Sequence, residues 1–419
     1  MDTLFSFLSD ADFWKYTSIP FLSGFVGWFT NVIALKMTFY PLKFVGIGKL
    51  GWQGIIPSRA GFMAGKAVDL IASKLVTIED RFAQLDPERV AEEMEPAINR
   101  ITAQIVDEVM TEEAPEIWEN APKAVKDGLY LRASEEIPAA VVQLMRDIKE
   151  RITELFDLRR MVVETLEGDP DLLNQIFLQV GSKEFIFIEK SGFYFGFLFG
   201  LVQMALFIAA NTLLGFDLSY TVWILPVAGL FVGWATNVLA LRMIFEPVRP
   251  RRYFFFITFQ GLFLQRQKEV ASAYAKLISE RVLSSRQIME ELVSGPASER
   301  LFALVHLHIR RGVDASAGFV KPLFQLARGT KSYVNIKTKI ARRFEQELPH
   351  SLRYLFPYAQ EALDIENSMR TKMQALSAPE FVGFLRPIFQ EDEWKLILVG
   401  AVLGFLAGLA QMMLVFAPV

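Results

Sequence analysis

Four apolar runs constrain this chain more than any other feature. They are Ile19–Phe39, Ser191–Leu214, Tyr220–Phe245 and Trp394–Phe416. Each holds about 20 residues or more, enough for a helix to cross a hydrocarbon core of about 30 Å. In such a core every backbone N–H and C=O must be satisfied within the protein, so the runs predict membrane-spanning helices. An apolar fraction of 52% over 419 residues and a mean hydropathy of +0.28 agree with this reading. The opening stretch "MDTLFSFLSDADFWKY" is acidic and lacks a basic region and a small-residue cleavage site. The first run therefore reads as a retained span rather than a signal peptide.

With their flanking residues the spans occupy 19–42, 191–214, 220–245 and 394–416, after an N-terminal tail of 1–18. Between them lie two long charged segments, 43–190 and 249–393, and one short link, "NTLLGFDLSYT" at 211–221. Four crossings put both charged segments on one side. Near the span ends on that side stand Lys43, Lys49, Arg59, Lys183, Lys190, Arg249, Arg251, Arg252, Arg266, Arg386 and Lys395, against Lys15 alone on the other. Lys and Arg resist translocation, so the large segments are expected in the cytoplasm. Both termini and the 211–221 link are then expected to face outward.

The chain also repeats itself. "GWFTNVIALKMTFYP" (27–41) returns as "GWATNVLALRMIFEP" (233–247), ten of fifteen positions identical. "QGIIPSR" (53–59) returns as "QGLFLQR" (260–266), "EEIP" (135–138) as "QELP" (346–349), and "GFLFGLVQM" (196–204) as "GFLAGLAQM" (404–412). The order is kept and the offset stays between 206 and 211 residues. This reads as a tandem duplication, about 20–208 and 226–416, each copy a span, a helical domain and a second span. Both copies enter the membrane in the same direction, which makes a parallel repeat.

Within the charged segments Val68, Ile71, Leu75, Ile78, Phe82 and Leu85 recur at helical spacing. A second stripe, Val90, Met94, Ile98, Ile101 and Ile105, follows "DPERV", which has the form of a helix cap. Val270, Tyr274, Ile278 and Val282 are their counterparts in the second half. The expected fold is an all-α integral membrane protein: four transmembrane helices in two parallel tandem repeats, each with a large cytoplasmic helical domain. The apolar stripes are helix–helix core on the plain reading, and a groove for lipid chains on the sharper one. Residues 43–59 and 249–266 mix aromatic, Gly and basic residues, a composition suited to the lipid headgroup zone.

Polar residues inside the spans are the candidate site. Thr30 and Asn31 sit mid-span, and Thr236 and Asn237 repeat them. An amide facing lipid would leave donors and acceptors unpaired, so these groups should face another helix. Gly192, Gly196 and Gly200, and again Gly400, Gly404 and Gly408, form small-residue faces that let helix backbones come close. Gln203 and Gln411 follow on nearly the same faces. Thr30, Asn31, Gln203, Thr236, Asn237 and Gln411 are thus expected to form an intramembrane polar cluster. It would serve either as interhelical glue or as a path for a solute. Lys36, Arg59, Arg242 and Arg266 are expected to contact headgroups, by snorkelling or by binding a lipid phosphate.

Other chemistries find no support in the residues. Cysteine is absent, so disulfides and thiolate sites are excluded. The three histidines are His306, His308 and His350, and the first two point to different sides of a helix. No phosphate-binding loop, metalloprotease or hydrolase motif occurs. The net charge of −3 offers no nucleic-acid signal. No enzyme activity, metal or cofactor is expected.

Gly27, Trp28, Thr30, Asn31, Ala34, Lys36, Met37, Phe39 and Pro41, followed by Gly54, Pro57 and Arg59, make a pattern. It resembles the bacterial membrane-protein family catalogued as domain of unknown function 445. The second copy departs from it: Arg242 replaces the Lys, and Leu264 stands where Pro57 stands. The resemblance implies a bacterial inner-membrane protein and brings no activity with it. The function expected is non-enzymatic, in lipid handling or envelope maintenance, with membrane lipids or a protein partner held by the helical domains. The alternatives are a channel or transporter using the polar cluster, and a scaffold recruiting cytoplasmic proteins. Association with further copies of the chain is compatible with each.

Overall fold

The computed structural model describes residues 11–48, 50–213, 222–253, 257–318, 320–390 and 393–415. The chain ends and most of the 211–221 link lie outside the described residues, as do the expectations that fall on them. The described chain is all-α apart from two short β-hairpins. It divides into two compact units. One comprises Met1–Ala67, Glu164–Tyr274 and Lys372–Val419; the other comprises Val68–Val163 and Ala275–Thr371.

The first unit contains four helices long and apolar enough to cross a membrane, the first of them α1 (Ala11–Phe39). α1 begins eight residues before the apolar run at Ile19, and the stretch apolar enough to span starts at Trp14. It also runs through Pro20, which a span tolerates where neighbouring helices cover the freed backbone. After α1 the chain passes a cis Tyr40–Pro41 bond into a hairpin of β1 (Val45–Ile47) and β2 (Leu50–Trp52). Gly48 sits in its turn at φ 61, a left-handed conformation open to glycine.

The second unit supplies the next two long helices, α2 (Pro87–Glu113) and α3 (Lys123–Glu150). Asp86 caps α2: its carboxylate accepts from the Glu88 amide at 3.1 Å, and Pro87 takes the first helical position. The stripe from Val68 to Leu85 is buried throughout, but it does not lie on one helix. The chain breaks out of helical geometry at Val76 and Thr77 and starts a new helix at Ile78.

The chain then returns to the first unit through α4 (Ser182–Leu213) and α5 (Ile224–Phe245). α5 ends as α1 does, with a cis Glu246–Pro247 bond and a hairpin, β3 (Arg251–Tyr253) with β4 (Ile257–Phe259). The second unit resumes with α6 (Ser298–Ala317) and α7 (Thr330–Ser351), and the last span is α8 (Glu393–Val415).

In the first unit α1 packs along α4, and α5 along α8; α1 and α5 also meet each other. α1 and α5 are the inner pair: 44% of their most apolar window is buried, against 28% for α4 and α8. A buried cluster of Tyr16, Ile19, Phe207, Val222 and Leu225 ties α1, α4 and α5 together at the end nearest the 211–221 link. In the second unit the four long helices close a ring, with shorter helices beside them. α2 packs on α3, α3 on α6, α6 on α7, and α7 back on α2. Each neighbour pair therefore faces a common interior.

Candidate functional site

The spans meet through backbone rather than through interlocking side chains. A methyl group at Gly27 would overlap the Gly192 carbonyl oxygen, and one at Gly192 would overlap that of Gly27. Gly233 and Gly400 stand in the same relation, as do Gly229 and Gly404. Gly196 lies against Ser23 and Gly24, Gly200 against Pro20 and Ser23, and Gly408 against Leu225 and Pro226. The approach needs bare α-carbons on both helices of each pair.

The same bare surface admits an amide. Asn31 is fully buried, and its Nδ2 donates to the Ile188 carbonyl on α4 at 2.6 Å. Asn237 donates likewise to Leu396 on α8 at 2.7 Å. A side chain at Gly192 or Gly400 would press on these amide nitrogens. Thr30 and Thr236 turn back on their own helices, to the carbonyls of Gly27 at 3.1 Å and Val232 at 2.9 Å. Asn31 Oδ1 is buried without a hydrogen-bond partner.

The glutamines stand apart from the asparagines. Gln203 and Gln411 line one small cavity of about 10 Å³ with Ser23, Gly229 and Gly408. Ser23 Oγ donates to Gln203 Oε1 over 3.4 Å, and Gln411 Nε2 is buried without a partner. A cavity of this size holds about one water. The six polar residues thus fall into separate places: Asn31 with α4, Asn237 with α8, the threonines on their own helices, and the two glutamines together.

The four cationic candidates also differ. Lys36, Arg59 and Arg242 are exposed. Arg266 is held: its Nη1 meets Glu184 Oε1 at 2.6 Å, and its guanidinium also bonds Glu269 at 3.0 Å. Glu184 is only 1% exposed, so Arg266 supplies the countercharge to a buried carboxylate.

Sequence reasoning did not find why "QG" recurs. Gln53 Nε2 donates to the Leu42 carbonyl at 2.8 Å and Gln260 Nε2 to that of Val248 at 3.1 Å. The amides of Gly54 and Gly261 donate to the carbonyls of Pro41 and Pro247 at 2.9 and 3.0 Å. A β-carbon at either glycine would lie 2.7 Å from the backbone carbonyl carbon that ends the preceding span. The motif clamps each hairpin to the end of its span. Its repetition was the available signal.

The helical ring holds a second feature that spacing did not reveal. Two cavities, of about 100 and 80 Å³, lie between its helices and share Ile137, Ile309 and Phe344 on their walls. The lining is almost wholly apolar. For comparison, an engineered apolar cavity of about 150 Å³ stays dry and binds benzene. Thr102, on the wall of the second cavity, is 2% exposed, and its Oγ1 has no hydrogen-bond partner. Its signal in the sequence is a lone hydroxyl beside the apolar stripe of α2.

Lys321 and Tyr333 line the same cavity and bond Asp314 at 2.9 and 3.0 Å; Lys337 joins them at 2.6 Å. Partial burial raises the Asp314 pKa, but the hydrogen bonds from Lys337, Lys321 and Tyr333 outweigh it and hold the carboxyl at about 2. Among the described residues no three His, Asp or Glu side chains come together so as to hold a metal ion.

Four long apolar helices with backbone-close contacts and buried interhelical amides define a membrane protein. The comparisons agree. The chain is 28% identical over 212 residues to a UPF0754 membrane protein of Bacillus pumilus (strain SAFR-032), covering 45% of this chain and 52% of that one. It is 27% identical over 173 residues to a UPF0754 membrane protein of Nostoc sp. (strain PCC 7120), covering 40% of each. A UPF0754 membrane protein of Staphylococcus aureus (strain MRSA252) is 31% identical over 87 residues, covering 20% of this chain and 23% of that one. The chain thus spans about half the length, or less, of these curated relatives. No family model matches it, and no solved structure does.

Proposed function

We propose that this chain is a non-enzymatic protein of the bacterial inner membrane that handles lipid, and that the helical ring lodges an apolar chain between its helices. The observation that carries this reading is the pair of adjoining apolar cavities that share Ile137, Ile309 and Phe344. An apolar interior with room left in it gains from a hydrocarbon guest and not from water. Thr102 Oγ1 offers one buried polar partner on the cavity wall. Longer guests require the four helices to part.

The same proposal takes the two halves as parallel tandem copies, related in sequence to the family catalogued as domain of unknown function 445. The charged segments face the cytoplasm, as the excess of Lys and Arg near the span ends favours. A transport path through the spans has less support. Both asparagines are engaged with carbonyls, and the glutamines enclose space for about one water.

The test is lipid identification by mass spectrometry on the full chain purified gently from membranes. Ala133 and Ala359 line the second and first cavity and are buried. Ala133→Leu with Ala359→Leu should fill the space and lower the amount of co-purifying lipid, with thermal stability kept. Lipid retention equal to the unsubstituted protein would overturn the reading.

A further inference from the structure

The end of α5 carries a wide pocket of about 910 Å³. Its lining includes three cations, Arg242, Arg249 and Arg251, each exposed. It also includes Leu239, Met243 and Phe259, and Leu239 and Met243 share a face of α5 with Arg242. Leu239 lies one turn deeper in the span than Met243, so the apolar part of the lining runs into the membrane-spanning helix.

Among the described residues none of the three forms a close ion pair, although the Glu393 carboxylate lies within electrostatic reach of Arg242. Glu246, which also lines the pocket, is already taken by Arg386, Nη1 to Oε1 at 3.0 Å. Three arginines around one pocket repel one another, and an arrangement of this kind gains by receiving an anion. Guanidinium groups bind phosphate oxygens in paired hydrogen bonds, whereas Lys acts as a point charge. The matching positions, 206 residues earlier, are Lys36, Lys43 and Val45. The set of three arginines therefore belongs to the second half alone.

We infer that this pocket binds an anionic phospholipid, with its phosphate on Arg242, Arg249 and Arg251 and the start of an acyl chain along Met243 and Leu239. The lipid, rather than free phosphate, is the occupant because Leu239 and Met243 flank Arg242 in the same lining, on a helix apolar and long enough to span a membrane. Such an occupant fits charge to charge and hydrocarbon to hydrocarbon. The site does not depend on the cavities of the helical ring, whose residues are all different.

The experiment uses the full chain in detergent and native mass spectrometry with added phosphatidylglycerol or phosphatidylcholine. Phosphatidylglycerol should be retained preferentially. Each of Arg242→Gln, Arg249→Gln and Arg251→Gln should weaken retention about fivefold, the effect expected of one basic residue at an anionic membrane surface. Arg252→Gln, on the same strand but not on the pocket wall, should leave retention unchanged. Ala133→Leu with Ala359→Leu should leave the preference for phosphatidylglycerol over phosphatidylcholine unchanged, so failure here and failure of the cavity reading are separate results. Inorganic phosphate added alone should not displace the lipid; displacement would mark a plain phosphate site and overturn the proposal. Equal retention of the two lipids, or equal loss from Arg249→Gln and Arg252→Gln, would overturn it as well. Arg249 lies in an exposed loop, so its substitution tests the site with the fold intact.

Discussion

Asn31 reaches across to Ile188: its side-chain amide donates to that residue's backbone carbonyl at 2.6 Å, from a position with no solvent exposure. Gly192, one helical turn beyond Ile188, leaves the space through which the amide passes. Asn237, Leu396 and Gly400 repeat the relationship. Asn31→Leu removes the donor and leaves its site to an aliphatic side chain. The expected cost is about 1 to 2 kcal/mol, the upper range for an interhelical hydrogen bond in a membrane. Thermal unfolding in detergent measures it, and an unchanged midpoint would show that the amide contributes nothing. Asn237→Leu acts on a different helix pair, so the two effects should add.

The glycines offer a sharper contrast. Gly192→Ala sets a methyl group into the Gly27 carbonyl and should destabilise by about 1 to 3 kcal/mol, the usual range for overpacking. Gly128 lies within α3, exposed, with nothing within 4 Å of a β-carbon placed there. Gly128→Ala should stabilise by up to about 1 kcal/mol through helix propensity alone. Unfolding midpoints that move in the same direction for both would contradict the packing described.

Arg266 and Glu184 make a pair in which one partner cannot reach water. Arg266→Ala leaves the Glu184 carboxylate buried and unpaired, at an expected cost of roughly 3 kcal/mol. Arg266→Ala with Glu184→Ala should recover much of that loss, because no orphan charge remains. A double variant no more stable than the single one would show that Glu184 is not the group in distress.

Asp314 makes part of the second unit's stability dependent on acid. Its folded pKa is about 2, below the ordinary 3.8. A depressed carboxyl pKa stabilises the fold above the unfolded value, and that contribution is lost as pH falls through the folded one. The window is therefore pH 4 down to about 2. The contribution is roughly 1 to 2 kcal/mol once solvent screening of a carboxylate one-third exposed is allowed for. Asp314→Asn should lower stability at neutral pH and flatten the acid slope in that window. An acid transition of unchanged slope would remove Asp314 from the account.

The sequence by itself determined the four long apolar helices and the all-α class, because both follow from local patterns: run length, the near absence of strand alternation, and helical periodicity. It also placed Gly192, Gly196 and Gly200 on one helix face. Periodicity says which face a residue occupies and nothing about what that face meets. Only the tertiary structure set Gly192 against Gly27, put Gln203 beside Gln411 while holding Asn31 apart, and tied Arg266 to Glu184 across 82 positions. The hairpins after each span came from the same level. Their strands are three residues long, too short for alternation to show, and they are held by the Gln53 and Gln260 side chains. The cavities of the helical ring are likewise a property of docking. They exist where side chains from α2, α3, α6 and α7 and from shorter segments beside them fail to fill the shared interior, and no single helix carries that information.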